Sequence, residues 1–334
     1  MNNVGIVFAE KRFGSRTNAK SVLELFVAAH CYPCNFGSKT LNVVFFFLEQ
    51  ALGDKHRHTN ILVSCCLEHS VKDTLECGQI FRYYDLGEGY YGVFSGDKYA
   101  QLHTDGDTVA VQTEWGEYFA DFFALDTDYS QTVARISAIS PLMKQAAECG
   151  KGIRILRQDP TEMLFCFMIS ANNNIKRIQQ IVERLCAGAG TLTKYGYAFP
   201  TAEQLAAKDA TFFSSLGAGY RDKFLYEAAQ GICNFDVAAL KNVDTETARK
   251  RLLEVKGVGP KVADCILLFG LQHGDVFPVD TWLKKVYHNY FETGLPDSAI
   301  SPYFCKLFGQ DSGLCQQYLF YFQRKYRQNE INNV

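Results

Sequence analysis

The chain has 334 residues, of which 47% are hydrophobic, and its 34 basic side chains nearly balance its 36 acidic ones. This composition excludes a globally disordered or fibrous protein, and the length suggests about two domains. No apolar run approaches the roughly 18 residues of a membrane-spanning helix, and no secretory signal is evident. We therefore expect a soluble protein that is not secreted.

The charge is divided unevenly between the two parts of the chain. Residues 1–150 carry 12 basic and 18 acidic side chains, whereas residues 151–334 carry 22 basic and 18 acidic ones. The second part is therefore the better candidate to bind a polyanionic partner. Such a difference is common in ordinary proteins, so it does not by itself identify a function.

The 12 cysteines are scattered, and most lie inside apolar stretches, as small hydrophobic residues do. This favours buried thiols in a reducing compartment. Cys31 and Cys34 have the spacing of metal ligands. The next pair, Cys65 and Cys66, is adjacent in sequence and poorly placed to complete a tetrahedral site, so we expect no metal.

Sequence patterns in the first half of the chain indicate few helices. Residues 1–57 give no clear pattern beyond a candidate helix near 21–29 and an apolar stretch over 41–52. From residue 59 to 127, short β-rich runs are separated by glycine-containing turns at hairpin-like intervals. These runs predict an antiparallel sheet with strands at 80–84, 90–94, 99–102 and 109–112.

After residue 128 the apolar period changes to that of a helix. Ile175, Ile178, Val182 and Leu185 recur three or four residues apart, and Ile169 precedes them. Further helices are predicted at 202–207, 221–231, 245–255, 260–271, 281–290 and 312–327. The fold class is therefore α+β, a small antiparallel β-sheet domain docked on a mostly α-helical body. The predicted division is an unassigned extension over 1–57, a β-rich domain over 58–127, a helical domain over 128–328 and a tail over 329–334.

One stretch, residues 252–266, predicts two helices joined by a Gly-Val-Gly hairpin. Gly257 and Gly259 permit a positive φ and a close backbone approach, and Pro260 suits the first position of a helix. The backbone N–H groups of Gly257, Val258 and Gly259 could then bind a phosphate oxygen. An ordinary tight connection between two helices is the alternative.

Asp280 follows Lys261 by 19 residues, within Phe-Pro-Val-Asp and just before another helical pattern. With the hairpin, this spacing resembles the helix-hairpin-helix DNA glycosylases that have a Gly/Pro-rich loop and a terminal aspartate. The resemblance implies that Lys261 is the catalytic nucleophile and Asp280 the essential carboxylate. A lysine amine can hold the sugar as a Schiff base, and a carboxylate stabilises positive charge on that sugar. Asp280 is also expected to cap the following helix, and a solvated surface lysine is the alternative for Lys261.

Two upstream segments, residues 156–160 and Ser-Ala-Asn-Asn-Asn-Ile-Lys-Arg-Ile at 170–178, resemble the 8-oxoguanine DNA glycosylases within this superfamily. The resemblance implies that Asn172, Arg177 and Arg221 hold the cytosine left unpaired when the lesion is extruded, and that Tyr220 enters the vacated stack. Because asparagine favours caps, Asn173 or Asn174 is expected to cap a helix.

The same resemblance implies a lesion-base pocket. The backbone carbonyl of Gly78 would accept the N7–H that 8-oxoguanine has and guanine lacks. The other implied pocket residues are Gln316 at the base edge, Phe320 and Cys265 on the two faces, and Phe269, which replaces a methionine. Two alternatives stay open: Phe320 as helix core, and Gln317 in place of Gln316. Trp282 stands where better-known animal enzymes have a phosphate-contacting histidine, and we expect its indole N–H to donate to a DNA phosphate in place of that histidine.

The resemblance spans about residues 60–328, and residues 1–57 are either a lineage-specific extension or a misplaced gene start. Iron–sulfur glycosylases of the superfamily carry four cysteines near the C-terminus, whereas only Cys305 and Cys315 occur here, so no cluster or other cofactor is expected. Alkylbase glycosylases lack the lysine. A noncatalytic helix-hairpin-helix DNA-binding module is the third alternative.

The sequence thus predicts a DNA glycosylase that removes 8-oxoguanine opposite cytosine and cleaves abasic DNA by β-elimination, with formamidopyrimidines as an open further substrate. The expected partner is double-stranded DNA containing oxidised guanine, with no membrane and no second subunit. The expected location is intracellular and DNA-associated, in a bacterial cytoplasm or a eukaryotic nucleus.

Overall fold

The computed structural model describes residues 70–105, 108–291 and 294–332, together with the backbone of three short strands. These are β1 (Val7–Glu10), β2 (Val44–Phe47) and β3 (Thr59–Val63). β1 and β2 pair in parallel, and β2 lies within the apolar stretch at 41–52. The helix predicted near 21–29 and the cysteines at 31, 34, 65 and 66 lie outside the described residues.

Five strands form one sheet in the order β3-β7-β6-β5-β4. The last four are β4 (Tyr83–Gly87), β5 (Tyr90–Ser95), β6 (Lys98–Asp105) and β7 (Thr108–Thr113). Every pairing in this sheet is antiparallel, which confirms the predicted α+β fold. The buried side chains of the sheet pack with two helices that the sequence patterns do not predict, α1 (Val71–Glu76) and α2 (Gly116–Phe122).

The first predicted strand is wrong at its beginning, because β4 starts at Tyr83 and not at Ile80. Ile80 and Phe81 are buried in the connection before the strand. Arg82 is buried as well, and its Nη1 lies 3.6 Å from the Glu162 carboxylate and donates to Gly96 O at 3.0 Å. Its Nη2 donates to Tyr197 O. Tertiary contacts therefore hold this segment, so its apolar residues do not reflect strand pairing.

The rest of the chain is mostly helical, as predicted. The exception is a short antiparallel hairpin whose strands have two residues each, β8 (Leu192–Thr193) and β9 (Gly196–Tyr197). The helices are α3 (Ser130–Ser137), α4 (Pro141–Cys149), α5 (Pro160–Ser170), α6 (Ile175–Ala189), α7 (Ala202–Ala206), α8 (Ala210–Ser215), α9 (Asp222–Gly231), α10 (Thr245–Leu253), α11 (Pro260–Phe269), α12 (Thr281–Tyr290), α13 (Ile300–Phe308) and α14 (Ser312–Asn332). Among these described helices, none is long and apolar enough to cross a membrane.

A turn over residues 171–174 divides the predicted helical run at 169–185 into α5 and α6. Asn172 adopts a left-handed φ of 47°, which asparagine tolerates better than most residues. Asn174 caps α6, since its Oδ1 accepts from Arg177 N at 3.0 Å. The predicted asparagine cap is therefore confirmed at Asn174.

The helices enclose two separate sets of buried side chains besides the core of the sheet. The central cluster joins α5, α6, α9 and α11 through residues that include Phe165, Ile181, Leu225 and Ile266. The C-terminal cluster joins α3, α4, α12, α13 and α14 through residues that include Met143, Leu283, Phe304 and Leu319. Because α11 carries Lys261 and Asp280 directly precedes α12, these two residues lie where the clusters meet. The domain division at residue 128 stays a prediction.

Candidate active site

The predicted hairpin joins α10 to α11 through residues 254–259. Gly257 has a φ of 87°, and a Cβ on it would lie 2.6 Å from the Cβ of Phe224, so only glycine fits there. Gly259, for which the sequence permits a positive φ, instead has a φ of −92° and is the extended N-cap of α11. Pro260 occupies the first helical position as predicted.

The backbone N–H of Val258 donates to Val255 O at 3.0 Å, so this N–H is already committed within the hairpin. The expectation that it is free to bind a phosphate is corrected accordingly. A Cβ on Gly259 would meet no atom within 4 Å, so the surface beside the start of α11 is open. The phosphate role of Gly257 and Gly259 stays a prediction.

A buried carboxylate fixes the angle between the two hairpin helices. Arg249 Nε on α10 donates to Asp264 Oδ1 on α11 at 2.9 Å, and Ser301 Oγ on α13 donates to Asp264 Oδ2 at 3.3 Å. Burial raises the pKa of Asp264, and the charge of Arg249 opposes that rise. These contacts connect the hairpin to α13 and so hold Lys261, on the same helix as Asp264, in a defined place.

Lys261 is the second residue of α11, and its side chain points towards the end of α5. Its Nζ lies 3.4 Å from Ser170 Oγ and 5.5 Å from the centre of the Phe167 ring. Ser170 Oγ donates its only proton to Phe167 O at 2.7 Å, which leaves its oxygen to accept from the lysine. The sequence analysis missed this contact, although Ser170 begins the quoted asparagine motif.

Asp280 caps α12, as predicted, since its Oδ1 accepts from Trp282 N and Leu283 N, both at 2.9 Å. Burial raises the pKa of Asp280 above its ordinary value. The N–H of Leu283 and the positive charge of Lys261 partly offset that rise. The lysine and the aspartate are thus close enough to influence each other although they come from different helices.

Cys265 lies one turn beyond Lys261 on α11. Its side chain is buried, which raises the pKa of the thiol to about 11, while the nearby Lys261 opposes the rise. The thiol is therefore protonated at neutral pH and offers a small apolar surface, not a nucleophile. Phe269 lies one further turn along and stacks on Phe167 at 5.5 Å between ring centres.

The structure brings Gly78 and Phe320 together from distant parts of the sequence. Gly78 has a φ of 85°, and a Cβ on it would lie 3.3 Å from Phe320 Cε1. Phe320 is only partly buried, whereas its neighbours Tyr318 and Leu319 are 1% and 0% exposed and form the helix core.

The two glutamines on α14 have different environments. Gln317 Nε2 donates to Cys77 O at 2.7 Å and so holds the turn that carries Gly78. Gln316 is 5% exposed, and its Oε1 is buried with no hydrogen-bond partner among the described residues. A buried unpaired acceptor is costly, so the geometry favours Gln316 over Gln317 as the residue that contacts a ligand.

The four predicted opposite-base residues form one surface cluster. Asn172 Nδ2 donates to Tyr220 Oη at 3.4 Å, and Arg177 Nη2 donates to Gly217 O at 3.2 Å. Tyr220 is 58% exposed, and its ring centre lies 4.4 Å from the Arg221 guanidinium carbon. An exposed aromatic ring beside amide and guanidinium donors suits contact with an unstacked base.

Arg221 is more buried than its predicted role requires. It is 6% exposed, and it donates to Ala171 O at 2.6 Å, Ala218 O at 2.8 Å and Asn172 O at 2.9 Å. Nη2 also donates to Ala171 O. Since a guanidinium has five N–H donors, most of them hold the turn that presents Asn172. Arg177, by contrast, is exposed.

Trp282 lies in the first turn of α12, two residues after Asp280, and is partly buried. The ammonium of Lys285, one turn further along, lies 5.3 Å from the centre of its ring system. Within the part of the chain that the structure describes, no group of three or more histidine, cysteine or acidic side chains is placed to hold a metal ion.

Comparison with known sequences points to one family. A sequence family described as the N-terminal domain of 8-oxoguanine DNA glycosylase matches residues 65–164. An N-glycosylase/DNA lyase of Saccharomyces cerevisiae is 38% identical over 154 residues, which are 41% of this chain and 41% of the relative. The N-glycosylase/DNA lyase OGG1 of Arabidopsis thaliana is 31% identical over 218 residues, 60% of each chain. The matches therefore span less than two thirds of these two relatives.

A solved structure extends the similarity to most of the molecule. The 8-oxoguanine glycosylase/lyase of Clostridium acetobutylicum, in complex with double-stranded DNA containing cytosine opposite 8-oxoguanine, is 34% identical to this chain. The superposition covers 80% of this chain and 96% of that one, with a TM-score of 0.77. Fold, hairpin and similarity together show that the chain belongs to the 8-oxoguanine DNA glycosylase family of the helix-hairpin-helix superfamily.

Proposed function

We propose that this protein removes 8-oxoguanine from double-stranded DNA where the lesion lies opposite cytosine, and then cleaves the abasic strand by β-elimination. One observation carries the proposal. Lys261 and Asp280 come from different helices and meet beside the buried thiol of Cys265, on which the charge of Lys261 also acts. The Saccharomyces and Arabidopsis relatives are named N-glycosylase/DNA lyase, and the Clostridium relative is named 8-oxoguanine glycosylase/lyase, which supports a glycosylase and a lyase activity.

In the proposed reaction the unprotonated Nζ of Lys261 forms a bond to C1′ of the sugar while the bond from C1′ to the base breaks. Asp280 stabilises the positive charge that develops on the sugar. The departing base takes up a proton. The amine on C1′ then loses a proton as the C1′–O4′ bond of the sugar ring breaks and O4′ is protonated, which gives the Schiff base. Loss of a C2′ proton then forms a C2′–C3′ double bond as the C3′–O bond breaks and the 3′ phosphate departs. Ser170, 3.4 Å from Nζ, keeps the amine directed away from its own helix.

Discrimination between 8-oxoguanine and guanine is assigned to the Gly78 turn. The Gly78 carbonyl would accept the N7–H of the lesion, whereas guanine would present a lone pair to this carbonyl and leave it unpaired. Phe320 would stack on one face of the base, Cys265 and Phe269 would line the other side, and the unpartnered Oε1 of Gln316 would take a donor on the base edge.

We assign binding of the opposite cytosine to a cluster of four residues, Asn172, Arg177, Tyr220 and Arg221. Extrusion of the lesion leaves a gap in the stack, and the exposed ring of Tyr220 is placed to fill it. Asn172 and Arg177 supply donors for the acceptors of cytosine, and Arg221 holds the Asn172 turn. We further propose that the protein acts as a DNA-associated monomer.

The proposal is tested by borohydride trapping on duplexes that carry 8-oxoguanine opposite each of the four bases. We expect a covalent adduct with the wild type, strongest opposite cytosine, and none with Lys261→Gln, which should still bind lesion DNA. Lys256→Gln is a matched control, because Lys256 lies near the same hairpin but is exposed and paired with Glu227 at 3.2 Å. A formamidopyrimidine duplex tests the further substrate.

Two results would contradict the proposal. Tight lesion binding without an adduct would indicate a monofunctional or noncatalytic protein. Substantial excision by Lys261→Gln would remove the lysine from the mechanism.

A further inference from the structure

Arg324 lies on α14 one turn beyond Phe320, and it contacts both sides of the proposed lesion pocket. Its guanidinium carbon is 5.4 Å from the centre of the Phe320 ring. Its Nη1 donates at 3.0 Å to the backbone carbonyl of Glu76, the last residue of α1. A cation is favoured at this end of a helix, where carbonyl groups lack intrahelical partners.

The anchor at Glu76 stands immediately before the turn that carries Gly78. A Cβ placed on Gly78 would lie 3.3 Å from Phe320 Cε1 and 3.8 Å from Arg324 Nη1. One side chain therefore touches the aromatic ring, the end of α1 and the edge of the glycine turn. It determines how far the ring stands from the turn.

We propose that Arg324 is a positioning residue for the lesion base, which holds Phe320 against the Gly78 turn and so makes the enzyme prefer base-bearing DNA over abasic DNA. The inference rests on the proposed glycosylase and lyase function. An abasic site has no base to stack on Phe320, whereas its cleavage still requires Lys261 and Asp280. The charge of Arg324 is the smallest of the influences that lower the pKa of Asp280, and Arg324→Lys keeps that charge. Loss of the ring contact should therefore lower excision far more than cleavage of a preformed abasic site.

The chemistry of the side chain supports this division of roles. A planar guanidinium can lie on a ring while one of its N–H groups bonds to a carbonyl. A lysine at the same position would keep the charge but could not hold both contacts with the same geometry. Conservative replacement therefore separates the positioning role from a simple effect of charge.

The experiment measures single-turnover excision of 8-oxoguanine opposite cytosine and cleavage of a preformed abasic site opposite cytosine, for the same enzyme preparations. The variants are Arg324→Met, Arg324→Lys and Lys325→Met. Lys325 is the matched control, since it is the next residue of α14, is exposed and donates only to Tyr321 Oη at 3.2 Å among its described contacts.

We expect Arg324→Met to lower excision by about tenfold, the size of a desolvated cation–π contact, with a much smaller effect on abasic cleavage. Arg324→Lys should show a smaller loss, and Lys325→Met none. Because abasic cleavage needs a folded active site, it reports directly on whether each variant folds. In a Phe320→Ala background, Arg324→Met should cause little further loss, since the residue acts through that ring.

Three results would overturn the inference. They are undiminished excision by Arg324→Met, an equal loss of excision and abasic cleavage, and a full additive loss in the Phe320→Ala background. A wild type that cleaves abasic DNA but leaves 8-oxoguanine in place would instead refute the proposed function, and the inference would fall with it. The result for the wild type therefore distinguishes failure of the inference about Arg324 from failure of the proposed function.

Discussion

At the scale of single residues, the carboxylate of Asp280 has two tasks, and its surroundings shift its pKa in opposite directions. Its Oδ1 must cap α12, and the group must stay ionised to stabilise charge on the sugar. Burial raises the pKa of Asp280, while the Leu283 N–H and the Lys261 charge hold that rise in check. The balance between these effects decides the pH at which the carboxylate is protonated and loses its negative charge.

We predict that the Asp280 carboxyl, followed by NMR during a pH titration of the free enzyme, has a pKa above about 3.9, the ordinary value for aspartate. Because burial raises the pKa of Asp280, acidification protonates this carboxylate at a higher pH than it protonates an ordinary aspartate. Asp280→Asn should lower the single-turnover rate by about a hundredfold or more. Asparagine is also a good N-cap, so the melting temperature should change little. An Asp280 titration at or below the ordinary value would contradict the prediction.

The two arginines of the opposite-base cluster should respond differently to truncation. Arg177→Ala should weaken the preference for cytosine and leave the melting temperature unchanged, because Arg177 is exposed. Arg221→Ala should weaken that preference and also destabilise the fold by about 1–3 kcal/mol, since it leaves buried carbonyls unpaired. Excision opposite all four bases and thermal unfolding measure both effects. An equal stability loss in the two variants would refute the distinction.

At the scale of the elements, the hairpin contains two glycines that serve different purposes. Gly257 has a left-handed φ and lies against Phe224, whereas Gly259 is extended and open to solvent. We predict that Gly257→Ala lowers the free energy of unfolding by at least about 1 kcal/mol. Gly259→Ala, the matched control, should cost less stability but weaken binding to undamaged duplex DNA if a phosphate lies against it. Equal stability losses would contradict this assignment.

Sequence patterns predict some of the helices and turns of this fold but not the contacts between distant parts of the chain. The helix at 281–290 was predictable because a capping aspartate precedes an amphipathic run, and the asparagine turn because three consecutive asparagines oppose a helix. The assignment of Lys261 and Asp280 came from the family resemblance of the hairpin and the aspartate that follows it, and it stays a prediction. The start of β4, the φ of Gly259 and the burial of Arg221 were not predictable. The start of β4 and the burial of Arg221 depend on partners more than 20 residues away, such as Glu162 for Arg82 and Ala171 for Arg221, and local pattern carries no signal for such contacts.

At the scale of the whole molecule, one buried ion pair connects the sheet to the helices. Arg82 precedes β4, and its guanidinium contacts Glu162 on α5, the β5–β6 turn at Gly96 and the β8–β9 hairpin at Tyr197. Glu162 Oε2 also accepts from Gly96 N at 2.8 Å. Four elements therefore share a single charged contact.

We predict that Arg82→Met lowers the free energy of unfolding by about 3 kcal/mol or more, because it leaves the buried Glu162 without its cation. Lys98→Met, which removes an exposed pair with Asp97 at 2.7 Å, should cost less than about 1 kcal/mol. Chemical denaturation measures both. A loss for Arg82→Met no larger than that of the control would show that the pair does not hold the sheet to the body.

The division of the helical body into two clusters has a consequence for damaged or heated enzyme. The hairpin, Lys261 and the opposite-base turn all belong to the central cluster, whereas Asp280 is placed by the C-terminal cluster. If the C-terminal cluster loosens first, the surface that grips DNA survives while the carboxylate leaves the nucleophile. A partly unfolded molecule would then still hold DNA without repairing it, and it would no longer select the lesion, because Phe320 packs against the loosened cluster.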